Sequence, residues 1–193
     1  LLSVVTAGGT IEREESERLD ASGNRIPVVI SAAPLLGADG KVVGVSVVEH
    51  DATELKGFES ELRYLAEHDP VTGLHNRRRF QAELEARIAG GEAGTVMLLD
   101  IDHFKQVNDT HGHSTGDRIL RQVAGLLRET ARPGDEIAHF GRDEFALLLR
   151  GEASRAVNRG SALLAAIEGR IAAEAGGHLT ASIGIVNFGA GAE

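Results

Sequence analysis

Four carboxylates in two short stretches raise the first chemical question. Asp100 and Asp102 stand at the carboxyl end of the apolar run TVMLLDI (95–101), and Asp143 and Glu144 form the polar tip of AHFGRDEFALLL (138–149). If the strand and the hairpin lie side by side, these acids converge at one sheet edge. Carboxylates that close repel and raise one another's pKa. A divalent cation removes the conflict, and oxygen-only ligands suit Mg²⁺ or Mn²⁺. The competing reading is a pair of solvated turns, which favour Asp in their own right.

The stretch FKQVNDTHGHSTGD (104–117) follows the first pair of acids and reads as a loop leading into a helix N-terminus. Loop amides and a helix N-terminus make an anion site. Asn108 and Asp117 have the groups that read guanine: an amide for the O6/N7 edge, a carboxylate for N1–H and the 2-amino group. Each also has a plain structural reading, Asn108 in a turn and Asp117 as a first-turn helix acid. Lys105 faces a phosphate in one reading and solvent in the other.

The surrounding elements must position these groups. RIPVVISAAPLL (25–36) and VVGVSVVEHD (42–51) read as strands joined through Asp39-Gly40, a strong hairpin signal. Leu1 opens the chain in what reads as a strand. Two or three antiparallel strands are too few to fold alone, which gives the expectation of an internal fragment. In TELKGFESELRYLAEH (53–68), Leu55, Phe58, Leu62 and Leu65 follow a 3-4-3 spacing. That seam fits a helix packed on its own domain or a dimer-forming connector. Asp69-Pro70 ends it.

From residue 71 helices and strands alternate. NRRRFQAELEARIA (76–89) reads as a helix with Phe80, Leu84 and Ile88 on one face. TVMLLDI is expected to be a central strand buried on both faces. STGDRILRQVAGLLRETA (114–131) is helical, burying Ile119, Leu120, Val123, Leu126 and Leu127. Residues 135–140 and 144–149 form a hairpin, 154–175 a helix and 178–188 a last strand. The order β-α-β-β-α-β from residue 95 is the split βαβ arrangement of an α+β fold, expected with helices on one face.

Bulk properties narrow the function. A net charge of -9 argues against a nucleic-acid partner held by phosphate contacts, while leaving room for one nucleotide bound through a metal. Cysteine is absent, which excludes disulfides, zinc-thiolate sites and cysteine nucleophiles. No run has the roughly 18 apolar residues of a membrane span.

HDPVTGLHNRRRF (68–80), LLDIDHFKQVNDTHGHSTGD (98–117) and GRDEF (141–145) resemble, in order and spacing, the three landmark blocks of the GGDEF family of diguanylate cyclases. The resemblance covers about residues 70–193. Residues 1–52 resemble the last strands of a PAS sensor domain, and 53–69 a signalling linker helix that pairs two copies. The family condenses two GTP into cyclic di-GMP and pyrophosphate, in the cytoplasm, in parents that can be membrane-anchored. The resemblance implies a nucleotidyl-cyclase-like sheet in which Asp100, the Ile101 carbonyl and Asp143 hold the metal. It implies that Asp143 is also the base on the 3′-hydroxyl and that Glu144 assists it. Asn108 and Asp117 would read guanine, with His113 near the substrate. Arg132 and Asp135 of RPGD resemble the family's RxxD product-inhibition site. Two departures stand out. Arg142 replaces the second glycine of the family tip, and the family's last helix has no counterpart before Glu193. The alternative is therefore a degenerate domain that binds GTP or cyclic di-GMP and regulates an attached domain such as a phosphodiesterase.

Overall fold

β-Branched and alternating runs build the first part of the chain. A computed structural model describes residues 2–151, 153–171 and 179–189, and the chain divides into two units, Leu1–Arg63 and Tyr64–Glu193. In the first unit a short helix α1 (Leu2–Thr6) precedes strands β1 (Ile11–Leu19), β2 (Arg25–Leu36) and β3 (Val42–Asp51). They form an antiparallel sheet in that order. β2 and β3 have the bounds read from the sequence. Their connection turns at Gly40, whose φ of 75° a side chain would resist. The expected strand at the start is instead α1. Val5 packs with Ile11 and Ala32, so burial overrides the strand preference of LSVVT.

Helix α2 (Thr53–Glu67) begins where Asp51 Oδ1 accepts from the Thr53 amide at 2.8 Å. The predicted seam is exposed: Leu55 at 48%, Phe58 at 61%, Leu62 at 67% and Leu65 at 48%. The helix therefore does not bury this seam within the single chain.

In the second unit a two-residue strand β4 (His75–Asn76) leads into α3 (Arg77–Ala89), then β5 (Gly94–Ile101), α4 (Phe104–His111) and α5 (His113–Thr130). The hairpin β6 (Glu136–Gly141) and β7 (Glu144–Arg150) follows, then α6 (Ala153–Arg170) and β8 (Ala181–Phe188). Residues 172–178, on which the end of the expected last helix and the start of the last strand fall, lie outside the described residues. The sheet order is β4-β6-β7-β5-β8, with β5 antiparallel to both β7 and β8. The split βαβ arrangement holds, but the central strand is β7, and β5, expected to be central, is the inner strand between β7 and the edge strand β8.

The helices are not confined to one face. Met97, Leu99, Ile101, Phe145 and Leu147 pack under α4, α5 and α6. Phe80 and Leu84 of α3 cover Val96, Ala146 and Leu148 on the other side. That second layer is partial, and Leu98 of β5 is 47% exposed rather than buried. On α3 the expected Ile88 faces out, while Arg87 is buried. Arg87 is admitted because Nε meets Glu83 at 2.9 Å and Nη2 donates to the Gly134 carbonyl at 3.0 Å.

The expected loop at 104–117 is two helices. Phe104 and Val107 are buried one turn apart, and that short apolar stripe closes α4 onto the core despite its polar composition. Gly112, at φ 82°, separates α4 from α5. Among the described residues no helix is long and apolar enough to cross a membrane.

Candidate active site

The end of β5 is tied to the hairpin tip and to β8. The Ile101 amide donates to the Asp143 carbonyl at 3.1 Å, and Asp100 is the cross-strand partner of Glu144. Asp100, Asp143 and Glu144 thus share one corner of the sheet. Burial first, then the charges of Asp143, Glu144 and Asp102, push the Asp100 carboxyl above the ordinary carboxylate range. Glu144 is partly offset by Arg77, whose Nη2 lies 3.4 Å away and whose guanidinium stacks 4.8 Å above the Phe140 ring.

Asp102 does not join this corner. Its oxygens accept from Thr180 Oγ1 at 2.7 Å and Ser182 Oγ at 2.8 Å. Those hydroxyls hold its carboxyl below the ordinary range. The Asp102 amide donates to the Thr180 carbonyl at 3.0 Å, which keeps the residue beside the start of β8, and the chain then turns at His103, which adopts φ 57°. The four acids are therefore three plus one. Among the described residues no three His, Asp or Glu side chains are gathered tightly enough to cage a metal. Asp100, Asp143 and Glu144 still offer the oxygen chemistry a divalent cation takes, and the repulsion felt by Asp100 is relieved only in part, by Arg77 at Glu144.

Beside the corner lies a cleft of about 450 Å³. Lys105, Asn108, His113, Asp117 and Asp143 all line it, so the groups read as a loop and a hairpin tip meet in one place. Lys105, Asn108, His113 and Asp117 do so from helices rather than from loop amides, and Asp143 from the hairpin turn. Asn108 is on α4 and Asp117 on α5, with Gly116 between them in space. A Cβ at Gly116 would collide with Asn108 Oδ1 and crowd Phe104, so the glycine seats the Asn108 amide against α5. Phe104 and Leu120 supply apolar wall, and Asp117 is steadied by Arg121 at 3.7 Å. Asp100 and Glu144 are outside this wall, adjacent to Asp143.

Arg142 also lines the cleft. It adopts φ 58°, in the left-handed region that favours glycine, after Gly141 at φ 99°. Among the described residues its guanidinium has no ion-pair partner. Arg132 and Asp135 lie at the opposite end of β6, about 20 Å away at roughly 3.3 Å per residue. Arg132 is exposed, whereas the Asp135 side chain is only 3% exposed and meets Arg159 Nη1 at 2.8 Å.

Sequence reasoning missed Asp69 and His139, which line the same cleft. Asp69 reads simply as a helix stop. The Asp-x-x-Thr pattern at 69–72 was the available signal, since Asp69 Oδ1 accepts from both the Thr72 amide and its hydroxyl.

Comparison with known proteins agrees with this geometry. A family model described as "Diguanylate cyclase, GGDEF domain" matches residues 66–192. The probable diguanylate cyclase DgcE of Escherichia coli is 37% identical over 132 residues, 66% of this chain and 12% of that protein. The diguanylate cyclase DgcM of the same organism is 42% identical over 106 residues, 53% of this chain and 26% of that protein. The chain thus spans a small part of these relatives. A crystal structure of the coiled coil and GGDEF domain of DgcB from Caulobacter crescentus, in complex with c-di-GMP, overlays with a TM-score of 0.62 at 32% identity. That match covers 70% of this chain and 76% of the other. A fold with the expected strand order, an acidic corner beside a cleft lined by Asn108 and Asp117, and a family match over 66–192 lead to one conclusion: the chain belongs to the diguanylate cyclase GGDEF-domain family.

Proposed function

We propose that the chain is the catalytic part of a diguanylate cyclase, joining two GTP into cyclic di-GMP with release of pyrophosphate. The observation that carries this reading is the meeting of Asn108 and Asp117 with Asp143 in one cleft. Asn108 and Asp117 hold guanine by its O6/N7 edge and by N1–H and the 2-amino group. Phe104 and Leu120 exclude water from the base. His113 and Lys105, both exposed at the rim, face the sugar and phosphates. Mg²⁺ or Mn²⁺, held by Asp100, the Ile101 carbonyl and Asp143, would polarise the α-phosphate and offset its developing charge.

Asp143 takes the proton from the 3′-hydroxyl. That oxygen bonds to the α-phosphorus of the other GTP, and the bond from that phosphorus to the bridging oxygen breaks to release pyrophosphate. Repetition with the roles exchanged closes the ring. Glu144 keeps the corner negative for the cation. Each domain binds one GTP, so two domains must face each other. The exposed seam of α2 supports a homodimer through the linker helix, and the three-stranded first unit supports a PAS-type sensor ahead of it. Product would bind back at Arg132 and Asp135, in a cytoplasmic signalling protein.

Arg142 favours a second reading. A side chain in the left-handed region beside Asp143 suits a domain that binds GTP or cyclic di-GMP without turnover and regulates an attached phosphodiesterase. The test is incubation of the chain and its natural parent with GTP and Mg²⁺, with chromatography for cyclic di-GMP. Product that disappears in Asp143→Ala supports the cyclase. GTP binding without product from either supports the binding module.

A further inference from the structure

One titratable pair lines the cleft and has no part in the chemistry above. Asp69 opens the turn after α2, with its Oδ1 2.8 Å from the Thr72 amide and 2.7 Å from the Thr72 hydroxyl. His139, on β6, is 3% exposed. Its Nδ1 lies 2.9 Å from the same Oδ1, an ion-pair contact rather than a directed hydrogen bond, and its Nε2 is buried with no hydrogen-bond partner among the described residues. Burial works against the Asp69 charge, but the Thr72 donors and His139 outweigh it and hold the carboxyl below the ordinary range.

Packing alone does not explain this imidazole. A buried ring nitrogen without a partner costs stability, and an apolar side chain of similar volume would avoid that cost. What the pair does is bridge two halves of the cleft. On one side is the turn at 69–74, whose Val71 forms cleft wall. Arg121 Nε donates to the Val71 carbonyl at 3.3 Å and Arg128 Nη2 to the Thr72 carbonyl at 2.8 Å, so the turn moves with α5, the helix of Asp117. On the other side is β6. His139 lies against Phe145 with ring centroids 4.7 Å apart and planes tilted by 35°, and it sits two residues before Gly141, where the acidic tip begins.

We propose that Asp69 and His139 form a positioning clamp that sets the base-reading half of the cleft against the acidic, cation-binding half. The proposal rests on the nucleotide reading of the cleft. It makes the two halves energetically coupled through His139, so that a nucleotide held by its base presents its phosphates to the corner of Asp100 and Asp143.

The test measures coupling rather than turnover. Calorimetry on the full chain would compare guanosine with GTP carrying a methylene bridge between its α- and β-phosphates, with and without Mg²⁺. His139→Leu should keep guanosine affinity and the unfolding temperature. It should lose about tenfold of the gain in triphosphate affinity that Mg²⁺ provides, the range of coupling between contacting groups. Asp69→Asn should show the same loss, and His139→Asn, which keeps a donor near the Nδ1 position, should recover most of it. An unchanged Mg²⁺ gain in His139→Leu overturns the clamp, as does equal weakening of guanosine and triphosphate. A wild-type chain that binds neither ligand overturns the nucleotide reading itself.

Discussion

Asp100 and Glu144 face each other as cross-strand partners of β5 and β7, with Asp143 at the turn between them and the cleft. Like charges placed directly opposite destabilise a sheet. The fold tolerates this pair at a cost that a bound cation would offset. Asp100→Asn should therefore leave the unfolding temperature unchanged or raised while reducing cyclic di-GMP formation by about 10²-fold or more. The pH dependence has a definite sign. A carboxyl whose folded pKa is raised binds its proton more tightly in the fold, so its stabilisation is present at low pH and is lost as pH rises through the folded value. Thermal unfolding with a chelator present should show that loss above the ordinary carboxylate range in the wild type and its disappearance in Asp100→Asn.

Gly116 sets helix preference against room for the Asn108 amide. It lies inside α5, where Ala is favoured over Gly by about 0.5–1 kcal/mol. A Cβ there displaces the Asn108 amide. Gly116→Ala should lose about 1–3 kcal/mol to the crowding of Asn108 and the buried Phe104, more than the helix preference returns, and bind guanosine about tenfold more weakly, the range of one or two lost hydrogen bonds. Calorimetry and thermal unfolding on the same sample decide it. Unchanged affinity would show that Asn108 has no role in reading the base.

Arg142 stores backbone strain beside the site. A non-glycine residue in the left-handed region costs about 1–2 kcal/mol, part of which glycine's greater unfolded entropy cancels. Arg142→Gly should stabilise the chain by up to about 1 kcal/mol and increase cyclic di-GMP formation. Lower product in this variant would mean that the guanidinium serves the phosphates and that the departure from the family tip is functional.

The legible and illegible parts of the molecule differ in how far apart the interacting residues lie. β2 and β3 follow from local pattern, a β-branched run, Asp39-Gly40 and a second run. The pairing of β5 with β7 was within reach because the acidic tip demanded it. Asp102 was out of reach, since the hydroxyls that claim it are on Thr180 and Ser182, far along the chain. Helix α4 was hidden by its Asn, Asp and His residues, which read as a loop until Phe104 and Val107 are seen to be buried. His139 reads as any residue of a buried strand, and only the turn at Asp69 gives it a partner.

RPGD can be dissected because its two charged residues differ in burial. Arg132 is exposed, and its removal should leave the fold intact. Asp135 is buried against Arg159, and its carboxylate also receives the Arg132 amide at 2.9 Å. Removing one partner of a buried pair leaves the other charge uncompensated and costs about 3–5 kcal/mol. Asp135→Ala should therefore lower the unfolding temperature sharply, whereas Arg132→Ala should not. If product binds at this turn, Arg132→Ala should raise the cyclic di-GMP concentration needed for half-inhibition at unchanged uninhibited rate, measured by initial rates with added product. An inhibition curve identical to wild type would remove Arg132 from product recognition and leave the turn with the structural role that the Asp135–Arg159 pair gives it.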